Sequence, residues 1–111
     1  MKSYEGRRSN GEIFVTVNSR ALDPRFDLSF HSPDGFEWGY GGSGPAQLAL
    51  ALLADCLSDD EQALAEYQSF KSAVVAGLPC DGWTLTEEQI RNSLAPDSTR
   101  SPKLLSPFRV V

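Results

Sequence analysis

Leu48 to Ala54 read Leu-Ala-Leu-Ala-Leu-Leu-Ala, and with Ala46 ahead of them they make a helix that is apolar nearly all round. Such a helix needs cover on several sides, so it sits at the centre of the fold and the other elements are arranged about it. Its start is equally well marked. Pro45 suits the first turn, where its missing N–H has no bond to lose, and Ser43 or Gly44 is the expected cap. Ahead of it, Phe36–Tyr40 reads as an aromatic strand broken by Gly39, and Gly41-Gly42-Ser43-Gly44 turns that strand into the helix, which runs to about Leu57.

The remaining elements follow from local signals. Ser3–Arg7 and Glu12–Val17 flank an Asn10-Gly11 pair, the signature of a tight β-hairpin. Ile13, Val15 and Val17 share one face of the second strand, with Phe14 and Thr16 on the other, so cover is expected on part of both faces. Between Asn18 and Asp34, Pro24 and Pro33 limit regular structure, and Leu22, Phe26, Leu28 and Phe30 are the expected anchors to the core. Ser58-Asp59-Asp60-Glu61 has the form of a capping box opening a second helix to about Ala76. Ala63, Tyr67, Phe70 and Val74 form its apolar stripe, and Gly77 and Pro79 end it. Trp83-Thr84-Leu85 suits a short strand or an extended anchor, and Thr86-Glu87-Glu88-Gln89 is a further capping box for a helix to about Leu94.

The expected fold is α+β: a small antiparallel sheet of about three strands packed on a helical hairpin, plus a short third helix. The 111 residues suffice for one domain, residues 1–94, whose core needs neither disulfide nor metal. Residues 95–111 form a tail punctuated by Pro96, Pro102 and Pro107, ending in the apolar stretch Leu104 to Val111. Met1-Lys2-Ser3-Tyr4-Glu5 lacks the apolar core of an export signal, and Cys56 and Cys80 read as reduced thiols of a cytoplasmic protein. The longest apolar run falls far short of the ~20 residues that cross a bilayer.

A net charge of −5 argues against nucleic acid as a partner, although Arg7, Arg8, Arg20 and Arg25 could form one basic face. Gly41, Gly42, Ser43 and Gly44 could bind an anion at the helix start, but the P-loop lysine and the dinucleotide spacing are missing. Ser43 approaches a nucleophile elbow, with Pro45 where the closing glycine belongs and His31 the sole histidine. Cys56, Cys80 and His31 match no zinc spacing, and Asp34 with Glu37 lacks any further sign of acid–base work. No catalytic residue, metal or cofactor is therefore expected. Two surfaces remain for a protein partner: the acids Asp55, Asp59, Asp60, Glu61 and Glu66, and the aromatics Trp38 and Tyr40. Stacking of Phe36, Trp38 and Tyr40 on bases is disfavoured by the charge.

The stretch Gly35 to Leu53, with Tyr4-Glu5-Gly6-Arg7-Arg8, Tyr67-Gln68-Ser69-Phe70-Lys71 and Asp81-Gly82-Trp83-Thr84-Leu85-Thr86, resembles a family of small bacterial and phage proteins. That family has no assigned function and is carried on mobile elements. The resemblance spans roughly residues 3–90 and supplies no catalytic residues to transfer. It implies a small accessory protein that binds host or phage machinery, with inhibition of a host defence complex (of anti-CRISPR or anti-restriction type) as its specific form. The alternative readings are a module binding small anions or nucleotides at the glycine loop and a weak DNA-binding regulator.

Overall fold

In the computed structural model, which describes residues 2–33 and 35–94, Asn10 and Gly11 both take positive φ, 53° and 82°. This is the geometry of a two-residue hairpin turn, and it joins β1 (Ser3–Ser9) to β2 (Glu12–Val17) in antiparallel register, Arg8 opposite Ile13 and Tyr4 opposite Val17. A second tight turn follows directly. Asn18 and Ser19 also have positive φ, 48° and 70°, and lead into β3, the two residues Arg20–Ala21. The Asn18 side chain makes this affordable by accepting a bond from the Ser3 N–H at 2.9 Å. No glycine announces that turn, and β3 is a strand beyond the expected hairpin.

The sheet has four strands in the order β3-β2-β1-β4, where β4 is Gly82–Thr86 and pairs antiparallel with β1. Tyr4, Gly6, Val15, Val17 and Trp83 fill its inner face. Gly6 stands opposite Trp83, and a Cβ at position 6 would overlap the indole, so the missing side chain is what lets the ring lie across β1. Trp83 Nε1 is buried there with no acceptor among the described residues. The outer face is open: Phe14 is 41% exposed, not covered as expected.

Helix α1 (Ser43–Leu57) is buried from Gly44 through Ala54, because the sheet, α2 (Asp60–Ala73) and α3 (Glu87–Ser93) surround it. Leu48, Leu50, Leu52 and Leu53 are wholly buried, each contributing about 1.5–3 kcal/mol. Its cap is Gly42, one residue before the expected Ser43 or Gly44. The one polar residue in the buried stretch, Gln47, is bonded on every side. Its Oε1 accepts from the His31 N–H at 2.7 Å and the Ser32 N–H at 3.2 Å, and its Nε2 donates to the carbonyls of Pro24 at 2.8 Å and Ser29 at 3.0 Å.

Gln47 therefore holds the 24–32 segment, for which apolar anchors are the expected tie. Leu22 is buried and Leu28 packs on the core, but Phe26 and Phe30 are 40% and 61% exposed and stack on each other instead. Ser58 does not open α2. It closes α1 in a left-handed conformation, and Asp59 is the cap, accepting from the Gln62 N–H at 3.0 Å. Ala63, Tyr67 and Phe70 are buried as the stripe requires. The α-helix ends at Ala73, where Val74 leaves helical geometry at a φ of −124°, and a 3-10 turn covers Val75–Gly77; the carbonyl of Val75 accepts from the Leu78 N–H and from the Gly39 N–H. Thr86 and Gln89 form the complete capping box of α3. The expected tail lies outside the described residues. No helix among those described is long and apolar enough to cross a membrane.

Candidate functional site

The segment 36–40 is not a strand. Gly39 takes a φ of 89°, a conformation no regular strand contains, and its N–H goes to Val75 rather than to a neighbouring strand. Aromatic content misled here because Trp38 points inward as an anchor. It is 1% exposed, its Nε1 donates to the carbonyls of Pro79 and Cys80, and its ring meets Trp83 edge-on at 5.5 Å. Arg8 covers the outside of that ring, its guanidinium carbon 4.5 Å from the centroid.

Arg8 also binds Glu37 through both ends of its fork, at 2.7 and 3.1 Å, and its Nε donates to the Cys80 carbonyl. The guanidinium beside it holds the Glu37 carboxyl below the usual 4.5, and the pairing raises Arg8 in turn. Glu37 is thus an ionised structural partner; Asp34, paired with it in the acid–base reading, lies outside the described residues. The start of α1 lies directly on Glu37: a Cβ at Gly44 would come within 2.6 Å of the Glu37 Cβ, so glycine permits that contact. Gly42 has no side chain to cap with, and the N–H groups of Ser43 and Gly44 meet no acceptor among the described residues.

Ser43 and Gly44 line an open cleft of about 740 Å³. One wall is the edge of β2 from Gly11 to Phe14; the other runs through Phe36, Glu37 and Tyr40 to Ser43 and Gly44. Phe14 and Tyr40 are 41% and 51% exposed on its rim. Glu12 and Glu37 are the charged residues among the described lining. Half of this site, Tyr40 to Gly44, is singled out by sequence alone. The β2 wall is not, since only the fold brings residues 11–14 beside residues 36–44.

The other candidates are dispersed. Asp55 accepts from the buried Tyr4 hydroxyl at 2.7 Å and pairs with Lys2, and burial with Asp55 pushes the Tyr4 hydroxyl well above its ordinary range. Asp59 caps α2. Asp60, with Asp27, holds Arg25, whose value they raise. Glu61 is exposed and Glu66 accepts from Gln62. Arg7 and Arg20 lie exposed on β1 and β3, Arg7 loosely paired with Glu5 at 3.9 Å, whereas Arg8 and Arg25 are tied closely to carboxylates. His31 Nε2 lies 2.7 Å from the Tyr67 hydroxyl and 3.1 Å from the Ser29 hydroxyl. Cys56 is buried and Cys80 exposed, and no metal-binding group of His, Cys, Asp or Glu forms among the described residues.

A family model of unknown function, DUF6166, matches residues 4–96, taking in every element of the sheet and all three helices. The chain belongs to the DUF6166 family. Both walls of the cleft fall within the matched span of this DUF6166 domain. No curated protein and no solved structure matches the chain.

Proposed function

We propose that this DUF6166 protein is a non-catalytic accessory factor of mobile-element type that captures a protein partner in the cleft between β2 and the start of α1. The observation that carries the reading is the pair of exposed rings, Phe14 and Tyr40, on the rim of that cleft. Large aromatics beside a concave surface are the residues that anchor partners. The acidic surface is the weaker candidate, because Asp55, Asp59 and Asp60 already have intramolecular partners.

Affinity capture from a bacterial lysate tests this with three baits: the unaltered chain, a Phe14→Ser/Tyr40→Ser variant, and a Glu61→Lys/Glu66→Lys variant that spares the cap and the Arg25 pair. The aromatic variant, folded by circular dichroism, should lose a co-purifying protein that the charge variant keeps. Undiminished capture by the aromatic variant overturns the cleft reading. Inhibition of a host defence complex is the form of capture to test first, by identifying that protein.

A second reading rests on the free N–H groups of Ser43 and Gly44, where a small anion would complete the helix start. Phosphate titration should then shift the amides of Gly41 to Gly44, and constant positions at millimolar phosphate remove it.

A further inference from the structure

Strand β3 is too short to cover β2. It pairs with Thr16 and Val17, and the Leu22 N–H adds one bond to the Val15 carbonyl at 3.0 Å. In an antiparallel strand the N–H and C=O of a residue point to one side, and successive residues alternate. Val15 faces β3, so Ile13 faces the same way, while Glu12, Phe14 and Thr16 face β1. Past Leu22 the chain leaves the sheet at Pro24, whose carbonyl is held by Gln47. No described group meets the N–H or C=O of Ile13, and that stretch of edge is the β2 wall of the cleft.

An unpaired donor and acceptor on a strand edge, with apolar side chains beside them, are the complement of another extended backbone. We infer that the captured partner enters the cleft as an extended peptide segment that pairs with Ile13 as an added strand. The inference rests on the cleft reading above and names the form in which the partner binds. At ~3.3 Å per residue, the edge from Gly11 to Phe14 takes a segment of about three or four residues. Two features describe it further. Glu37 is already matched by Arg8, which leaves Glu12 as the carboxylate of the described lining able to meet a Lys or Arg, and Phe14 and Tyr40 suit apolar side chains at alternate positions.

The outward direction of the Ile13 N–H makes the test specific. Ile13→Pro removes it without breaking a β1–β2 bond, and proline is tolerated on an edge. Ile13→Ala trims the side chain and keeps the N–H. Short random linear peptides displayed on phage are selected on the immobilised unaltered chain. The selected peptides should bind Ile13→Ala, lose about tenfold or more on Ile13→Pro, and shift the Ile13 amide resonance of the unaltered chain. Equal binding to the two variants overturns strand addition, and so does a selection without linear binders. If Ile13→Pro does not fold, the Ile13 amide decides: a shift on peptide binding supports strand addition and its absence overturns it. The Phe14/Tyr40 capture experiment needs no strand pairing, so it tells a failure of this inference from a failure of the cleft reading.

Discussion

Gln47→Leu keeps the volume of a wholly buried side chain and deletes its four hydrogen bonds. Two N–H groups and two carbonyls of the 24–32 segment then lose their partner. Ser32 is buried, so its N–H bears the full cost of an unmet donor, about 2 kcal/mol; the groups of Pro24, Ser29 and His31 are half-buried and lose about 1 kcal/mol each. The leucine recovers about 2 kcal/mol through its own burial, leaving a net loss of about 3 kcal/mol. For a domain of this size that lowers the Tm by about 15 °C. Urea titration followed by tryptophan fluorescence reads the loss, since Trp38 and Trp83 are both buried. Amide exchange locates it: the His31 and Ser32 N–H groups should lose protection before α1 does. Gln47→Glu should be worse at neutral pH, because a carboxylate cannot donate to Pro24 or Ser29. A Gln47→Leu chain within about 0.5 kcal/mol of the unaltered one, with both amides still protected, would refute the reasoning.

Acid should weaken the fold in part through Glu37. Its folded carboxyl lies below the ordinary 4.5, so the unfolded chain takes up the proton first, and the stabilisation present above that value is lost as pH falls through the folded one. Glu37→Gln should flatten the acid limb of a stability–pH curve without abolishing it, as Asp27 and Glu87 are lowered too; an unchanged slope would show that Arg8 does not hold the carboxylate. Thiol titration with an aromatic disulfide should find one fast cysteine, Cys80, with Cys56 reacting only in denaturant because burial raises its thiol. Two fast thiols in the native chain would contradict the burial of Cys56.

What could be read in advance was whatever a few adjacent residues decide. Asn10-Gly11 dictates its turn through φ alone, Pro45 and the apolar run dictate α1, and Thr86 with Gln89 caps α3 within four residues. The misread places are those where a distant group competes for the backbone. Phe36–Tyr40 has strand composition, yet the Gly39 N–H goes to Val75 and the Trp38 indole to Pro79 and Cys80. Ser58 is a good cap by type, but ending α1 requires it, so capping falls to Asp59. Gln47 looked like one polar residue in an apolar helix, and nothing nearby in sequence identifies its four partners. The cleft is of the same kind: Tyr40 to Gly44 stood out, and the opposing edge at Ile13 exists only because β3 stops short.

The central place of β1 bears on how the chain is made. Its two neighbours are β2, a few residues away, and β4, some eighty residues later, and Trp83 must lie across Gly6 before the inner face is closed. A two-stranded hairpin is marginal in water by itself. During synthesis the β1–β2 pair therefore waits, with Tyr4, Val15 and Val17 uncovered, while α1 and α2 leave the ribosome. The long-range pairing with Gly82–Thr86 is the late step that joins sheet and helices into one cooperative unit. A chain stopped short of Trp83 would keep every local signal described above and still lack the strand that closes its core.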